Sequence, residues 1–138
     1  MTSSSVTGSC FCGEVKFEIE LPTSWCGHCH CSMCRRPHGA SFVTWVGVPT
    51  ERFKVTSGEQ NITRFQSSEK GTRTFCKICG SQMFCQTYPE EMDVALAALH
   101  GKIDRDPDTH FYFDSRAAWT VVNDDLTKLG GATGDQPL

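Results

Sequence analysis

The sequence predicts a mainly β fold in which antiparallel strands are joined by short loops and helix is scarce. One observation is the strict alternation of apolar and charged residues over positions 14–21, which is typical of a strand with one buried face. Another is the wealth of β-branched and aromatic residues in SFVTWVGV, which ends at Pro49. A third is that apolar runs are short and stop at turn-forming residues, such as the run between Pro89 and Gly101.

The other predicted elements follow along the chain. Residues 52–67 divide into two short strands at a turn around Ser57 and Gly58, and two more strands flank residues 76–80. Residues 93–100 have a helical composition, but their apolar run is too short for a helix, so we predict a strand. The last predicted strands are HFYFDS and AAWTVV, and a turn or two of helix is predicted near residues 32–36.

The length of 138 residues fits one domain, which we assign to residues 9–129. Residues 1–8 are predicted to be a flexible N-terminus and residues 130–138 a flexible C-terminal tail. Hydrophobic residues make up 38% of the chain, below the usual share of about 45–50%. A core this lean favours an additional staple such as a disulfide or a bound metal.

Charge and targeting signals narrow the class of protein. The net charge of −3 argues against binding to nucleic acid or to a membrane surface. The first nine residues lack the pattern of a signal peptide, and no window approaches the roughly 20 apolar residues of a membrane span. We therefore expect a cytoplasmic protein, where disulfides rarely persist and clustered cysteines more often hold metal. The count of nine cysteines is odd, so complete internal pairing is impossible.

Two close pairs of cysteines predict a structural zinc site with four thiolates. FCKICGS is a tight turn whose two cysteines can face one ion, with Gly80 able to take a positive φ. In SCFCG the two cysteines lie on one side of an extended strand, and Gly13 permits a bend after them. Each pair alone is also compatible with buried thiols or with a redox pair. The predicted ligands are Cys10, Cys12, Cys76 and Cys79.

A second cluster, Cys29, Cys31 and Cys34, has the spacing C-x-C-x-x-C. Three protein ligands with a vacant fourth position are the arrangement of a catalytic zinc. Three thiolates make the ion electron-rich, so it should favour a substrate thiolate over activation of water. Two alternatives remain open. In the first, Cys26, His28 or His30 supplies a fourth ligand and closes the site. In the second, the clusters exchange partners, so that Cys29 and Cys31 join Cys76 and Cys79.

Other candidate residues have simpler interpretations. Arg35 and Arg36 follow the second cluster and either bind the carboxylates of an anionic substrate or lie in a solvated loop. His100 and His110 are interpreted as ordinary polar residues at strand ends, although either can carry a proton at the site. Interpreted as structural are Cys85, a buried inert thiol, and Trp45 and Trp119, core or pocket wall.

Four stretches together resemble the glutathione-dependent formaldehyde-activating family, whose domain also occurs in centromere protein V. They are GSCFCGEVKFEI, CHCSMCRRPHGASFVTW, FCKICGS and DSRAAW, and they run in order from about position 8 to about position 129. The resemblance implies sheets leaning together in a tent shape, similar to methionine sulfoxide reductase B. It also implies two zinc ions per chain. The structural zinc falls on the four-cysteine set, and the catalytic zinc, which is expected to be partly occupied, falls on the three-cysteine set.

In family members credited with activity, glutathione and formaldehyde condense to S-(hydroxymethyl)glutathione, which is a carbon–sulfur lyase reaction in reverse. The leading hypothesis is therefore a zinc enzyme acting on a glutathione–aldehyde adduct, with Cys29, Cys31 and Cys34 as catalytic ligands. Its expected partner is a small thiol together with an aldehyde, with neither nucleic acid nor membrane. The alternative is a non-catalytic zinc module that binds a small thiol or a protein. A thiol redox protein using Cys34 or Cys85 is a third hypothesis.

Overall fold

The computed structural model describes residues 4–138, and strands make up 42% of these residues, which confirms the predicted mainly β class. The single α-helix of the described residues, α1, spans Ser32–His38 where a helical turn was predicted. The strands, in chain order, are β1 Ser5–Ser9, β2 Lys16–Glu20, β3 Trp25–Cys29, β4 Val43–Pro49, β5 Phe53–Ser57, β6 Ile62–Gln66, β7 Thr72–Cys76, β8 Gln82–Gln86, β9 Glu91–Ala95, β10 Thr109–Phe111, β11 Thr127–Gly130 and β12 Gln136–Pro137.

The described chain divides into two compact units. The first unit comprises the chain through Trp25 together with Val46–Arg105, and the second comprises Cys26–Trp45 and Asp106–Leu138. None of the helices in the described part of the chain is long and apolar enough to cross a membrane.

The first unit is built from antiparallel strands. In one sheet, β2 pairs with β1 on one side and β5 on the other. In a second group of strands, β6 pairs with β7, β7 with β8, and β8 with β9. Phe17, which is fully buried on β2, packs its ring at 5.8 Å from Phe53 and 5.5 Å from Phe84. This aromatic contact, together with alternating burial along β2, forms the interior that the sequence pattern predicted.

The second unit contains the helix and a mixed group of strands. β10 runs parallel to both β3 and β11, whereas β11 and β12 are antiparallel. These parallel pairs depart from the antiparallel expectation, because β10 reaches β3 through a long connection rather than a hairpin. The helix begins after Cys31, whose sulfur accepts a hydrogen bond from the Met33 N–H, and ends at Gly39 in the left-handed conformation.

Several predicted boundaries are wrong. AAWTVV is irregular rather than a strand, and the predicted strand over 93–100 ends at Ala95, where a 3-10 turn follows. HFYFDS likewise leaves the strand after Phe111 and turns through Phe113–Ser115. Each segment is apolar enough for a strand, but a strand persists only where a neighbour satisfies its backbone groups.

Parts of both segments that were predicted to be flexible lie in strands. Of the predicted N-terminus 1–8, residues 1–3 lie outside the described residues, while β1 pairs with β2 over its full length. In the predicted tail 130–138, β12 pairs with Leu129 and Gly130. Cross-strand hydrogen bonds form in these segments despite their polar composition, and their flexibility stays a prediction.

Candidate metal centres

The first cysteine cluster is formed by two hairpin turns of the first unit. Cys10 and Cys12 lie in the turn between β1 and β2, which is closed by a 3.1 Å hydrogen bond from the Cys10 N–H to the Val15 carbonyl. Cys76 and Cys79 occupy the equivalent positions between β7 and β8. The sequence predicted a hairpin only for the second of these turns, because β1 had been taken for a flexible terminus.

A glycine with positive φ follows each pair of cysteines. Gly13 has a φ of 82° and Gly80 a φ of 81°, a backbone conformation that other residues adopt rarely. In both turns a backbone N–H then points at the first sulfur: the Val15 N–H donates to Cys10 Sγ at 3.3 Å, and the Ile78 N–H to Cys76 Sγ at 3.4 Å. Such bonds stabilise negative charge on sulfur, as metal ligation requires.

Ser81 connects the two turns. Its hydroxyl accepts a 3.0 Å hydrogen bond from the Phe11 N–H, and it lies 3.2 Å from Cys79 Sγ, to which it donates. That second bond is the largest cause that lowers the pKa of Cys79 to about 5, while burial acts in the opposite direction. Cys79 therefore favours the thiolate at neutral pH.

The spacing of the four sulfurs fits a tetrahedral ion. The sulfurs of Cys10, Cys12, Cys76 and Cys79 all lie within 4.8 Å of one another. Cys10 Sγ is 3.6 Å from Cys12 Sγ, which in turn is 3.8 Å from Cys76 Sγ. Four sulfurs about 2.3 Å from a zinc ion form a tetrahedron with edges of about 3.8 Å, so the donor set and its size suit zinc.

The second cluster is formed within a short stretch of the second unit. Cys29 ends β3, Cys31 caps the N-terminus of α1, and Cys34 lies in the first turn of α1. Their sulfurs all lie within 4.8 Å of one another, and the Cys34 thiol donates to Cys29 Sγ at 3.4 Å. The structure thus brings together the two predicted sets and not the exchanged one.

The three thiols of the second cluster differ in their affinity for protons. Hydrogen bonds from Cys29 and then Cys34 are the largest causes that lower the pKa of Cys31 to about 2. The same interaction, seen from the other partner, raises the pKa of Cys29. Cys31 is thus the thiol of this cluster that gives up its proton most readily, helped by its neighbours and by the N–H of Met33.

None of the three candidates for a fourth ligand joins the second cluster. Among the described histidines, cysteines and carboxylates, only Cys29, Cys31 and Cys34 meet the mutual 4.8 Å limit there. His28 and His30 instead use ring nitrogens elsewhere in the unit, at 2.8 Å from Thr44 Oγ1 and 2.8 Å from His110 Nδ1 respectively.

His30, His110 and Asp124 form a hydrogen-bonded chain. His30 Nε2 lies 2.8 Å from His110 Nδ1, and His110 Nε2 lies 2.9 Å from one Asp124 oxygen and 3.1 Å from the other. Both histidines are buried, with 0% and 1% of their surface exposed. Burial, followed by the charge of His110, lowers the pKa of His30 to about 4, so this ring is neutral at pH 7. His110, interpreted from the sequence as a polar residue at a strand end, is thus a buried member of a hydrogen-bonded chain.

Two aromatic residues lie close to the second cluster. Trp45 is buried and donates its indole N–H to Cys34 Sγ at 3.4 Å. Tyr112 has a φ of 51°, unusual for a residue with a side chain, and a Cβ on Gly134 would overlap its ring. Burial and then the negative charge of Cys31 and Cys29 raise the pKa of the Tyr112 hydroxyl. Sequence reasoning missed Tyr112, whose signal is a conformation rather than a motif.

The remaining candidates separate into engaged and exposed side chains. Arg35 donates to the His30 carbonyl at 3.0 Å and to the Ser115 carbonyl at 3.2 Å, whereas Arg36 is exposed. Trp119 is 70% exposed and so does not belong to the core, while the alternative that it forms a pocket wall stays a prediction. Cys85 is buried as predicted. In the first unit, His100 Nε2 lies 2.9 Å from the Ser9 hydroxyl. None of the nine cysteines of the chain forms a disulfide.

Comparison with known proteins identifies the class. The profile of the glutathione-dependent formaldehyde-activating enzyme family matches residues 5–115, so the chain belongs to this family. A solved structure of a Rhodobacter sphaeroides protein, 31% identical, superposes with a TM-score of 0.60 over 71% of this chain and 91% of that one. The family membership predicted from the cysteine motifs is thereby confirmed.

Individual relatives carry related names. A Halomonas elongata protein named "Putative glutathione-dependent formaldehyde-activating enzyme" is 25% identical over 83% of this chain and 79% of its own length. A Talaromyces marneffei protein of the same name is 28% identical over 68% of this chain and 51% of its own length. An uncharacterized lyase of Schizosaccharomyces pombe is 31% identical over 56% of this chain and 54% of its own length. The chain thus spans only about half the length of these two fungal relatives.

Proposed function

We propose that this chain is a zinc-dependent enzyme of the carbon–sulfur lyase type that interconverts glutathione and formaldehyde with S-(hydroxymethyl)glutathione. The observation that supports this proposal most is the second cluster, in which three thiols converge and no fourth protein ligand joins them among the described residues. A structural site in a protein normally has four protein ligands, whereas a catalytic site keeps one position for substrate. Family membership supports the choice of substrate.

We further propose that the chain holds two zinc ions with different roles. Cys10, Cys12, Cys76 and Cys79 would hold a structural ion, and the second cluster would hold the catalytic one, which is expected to be partly occupied. An all-sulfur donor set favours zinc over magnesium, calcium or manganese, which prefer oxygen ligands. The thiols of both clusters must remain reduced to bind, in keeping with the expected cytoplasmic location.

The proposed reaction is the addition of a thiol to a carbonyl. The glutathione thiol loses its proton, the resulting thiolate attacks the carbonyl carbon, a C–S bond forms as the C=O π bond breaks, and the oxygen takes up a proton. A bound zinc ion supplies positive charge that lowers the pKa of a thiol and so makes thiolate available at neutral pH. The protein's share is to hold the two reactants in contact, which can supply much of the acceleration.

Side chains near the second cluster have separate proposed tasks. The N–H groups of Met33 and Trp45 donate to the sulfurs of Cys31 and Cys34, and thereby reduce the electron density that these sulfurs present to an ion. Arg35 is already bonded to two carbonyls, so the exposed Arg36 is the better candidate to bind a glutathione carboxylate. The Tyr112 hydroxyl, whose pKa is raised, stays protonated and can donate a hydrogen bond to the carbonyl oxygen.

An exchange experiment tests the proposal. Labelled formaldehyde and glutathione are mixed at equilibrium, and exchange between free formaldehyde and the adduct is measured by NMR with and without the protein, together with the zinc content. We expect the wild-type chain to carry up to two zinc ions and to accelerate exchange, and Cys29→Ser to lose the acceleration and the second ion. Cys85→Ser is the matched control, because Cys85 is a buried cysteine of the first unit that belongs to neither cluster. Full acceleration by a folded Cys29→Ser would contradict the mechanism.

One observation favours the alternative of a non-catalytic binding module. Phe11 and Ile78 sit between the cysteines of the two turns of the first cluster and are 94% and 57% exposed. Exposed apolar side chains on rigid turns are typical of a surface that binds a protein partner. The exchange experiment separates the two functions, since a module predicts two bound ions and no acceleration.

A further inference from the structure

The chain formed by His30, His110 and Asp124 has no part in the proposed reaction, yet it joins two buried rings of the second unit to an exposed carboxylate. Two buried imidazoles and one carboxylate are joined by hydrogen bonds of 2.8 and 2.9 Å. The rings of His30 and His110 lie 5.0 Å apart, and that of His30 also contacts Phe42 and Phe113 at 5.0 and 5.4 Å. Both rings are thus fixed by packing as well as by hydrogen bonds.

The position of each proton follows from the carboxylate. Ionised Asp124 only accepts hydrogen bonds, so in a His110 ring that carries one proton this proton lies on Nε2, which faces Asp124. His110 Nδ1 is then an acceptor, and the His30 nitrogen that it faces, Nε2, must be the donor. His30 Nδ1 is consequently an unprotonated acceptor, and among the described residues this buried atom has no hydrogen-bond partner. One exposed carboxylate therefore determines the tautomers of two buried rings.

The residue at the end of this chain lies between two candidate ligands. His30 separates Cys29 from Cys31, its N–H donates to the Phe111 carbonyl at 3.0 Å, and its carbonyl accepts from Arg35 at 3.0 Å. The backbone and the ring of His30 are therefore both held in place. The ring that bonds to His110 and the backbone that presents the two sulfurs thus belong to one residue, which is held at both places.

We propose that Asp124 is a positioning residue for the second cluster. Through His110 it fixes the tautomer and orientation of His30, and so the backbone that carries Cys29 and Cys31. This inference rests on the proposed function, because it assumes that the second cluster binds an ion. Hydrogen-bond partners behind metal ligands typically change metal affinity by about 10-fold to 100-fold when they are removed.

Asp124→Asn tests the proposal by reversing the tautomers. The Leu126 N–H donates to Asp124 Oδ1 at 3.1 Å, so the oxygen of an asparagine is retained there and its NH₂ group faces His110. His110 Nε2 lies nearer to the position of that NH₂ group, at 2.9 Å, than to the retained oxygen, at 3.1 Å. We therefore expect Nε2 to accept from the NH₂ group, so that the proton of His110 moves to Nδ1 and His30 in turn carries its proton on Nδ1. Long-range ¹H–¹⁵N NMR of the imidazoles reads both tautomers directly. We expect protonated Nε2 on His30 and His110 in the wild type and protonated Nδ1 on both in Asp124→Asn.

The same proteins are then titrated with Co²⁺ against a chelator of known affinity. We expect Asp124→Asn to weaken the second cluster by about 10-fold to 100-fold and to alter its cobalt absorption bands, while the four-cysteine cluster keeps its affinity. Two matched controls should bind as the wild type does. Asp125→Asn makes the same change at the exposed neighbouring position, and Lys128→Gln removes the 3.6 Å ion pair of Asp124 while leaving in place the carboxylate that His110 contacts.

The outcomes are distinguishable. Unchanged tautomers in Asp124→Asn, or unchanged affinity and spectrum of its second cluster, overturn the positioning role. Equal weakening by Lys128→Gln also overturns it, because the effect would then come from loss of an ion pair. A wild-type chain that binds only one Co²⁺ ion contradicts the two-ion proposal instead. A wild-type chain that binds two ions but does not accelerate exchange contradicts the enzyme proposal and leaves the test of Asp124 intact.

Discussion

The two cysteine clusters both consist of thiols that can bind a metal ion, but they differ in how far apart their cysteines lie in the sequence. The first joins hairpin turns whose sulfurs, Cys12 and Cys76, are 64 residues apart in sequence. The second gathers its sulfurs from the end of one strand and the first turn of the following helix, Cys29 to Cys34. A cross-link over a long loop removes much entropy from the unfolded chain, whereas one over a short loop removes little. We therefore expect the first cluster to determine stability and the second to determine chemistry.

The largest difference in stability is expected between a substitution in the first cluster and one in the second. Cys76→Ser is expected to destabilise or unfold the first unit, since metal binding of this kind contributes on the order of 10 kcal/mol to folding. Cys31→Ser should lower the midpoint of thermal unfolding much less while abolishing exchange of formaldehyde with the adduct. Circular dichroism during heating measures both changes. Equal destabilisation by the two substitutions would remove the distinction between the clusters.

Stepwise removal of metal should separate the clusters in a single protein. Three ligands hold an ion less firmly than four, so a chelator is expected to take the ion of the second cluster first. Exchange activity should disappear with that first ion while the far-ultraviolet circular dichroism remains native, and the β structure should be lost with the second. Loss of secondary structure with the first ion would show that the assignment of roles is reversed.

The smallest effects should come from single hydrogen bonds to sulfur. Ser81→Ala removes the hydroxyl that bonds Cys79 and the Phe11 N–H, and should lower the free energy of unfolding by about 1–2 kcal/mol. Trp45→Phe removes the donor to Cys34 and should change the exchange rate several-fold with a smaller change in stability. Trp119→Phe, at an exposed indole, is the control for Trp45. If Trp45→Phe affects stability alone, its hydrogen bond has no part in the chemistry.

The sequence predicted what depends on short-range patterns. The spacing of cysteines within each turn and the glycines at positions 13 and 80 identified both clusters, because ligand spacing and turn geometry are local properties. Alternation identified β2 for the same reason. Family motifs extended this local information to the whole domain, which is why the family and the mainly β class were confirmed.

What the sequence missed depends on pairing between distant segments. β1 has a polar composition, and its place in the sheet depends on pairing with β2 and on contacts with residues near His100. His110 has no signal of its own, and its burial follows from the parallel pairing of β10 with β3, which sets it opposite His28. Asp124 lies in an irregular segment with no motif, and its contact with His110 is visible only in three dimensions. Sequence periodicity carries no information on such contacts.

The separation of the cysteines along the chain also determines the order in which the ligands of each cluster become available during synthesis. At about 5–20 residues per second, the ribosome adds the 64 residues between Cys12 and Cys76 in roughly 3–13 seconds. During that interval the first pair of cysteines lacks its partners, whereas the second cluster has all its ligands as soon as Cys34 has emerged. The cluster assigned to chemistry is thus complete before the one assigned to stability, and the nascent chain must be kept from losing reduced thiols to oxidation until the later hairpin arrives.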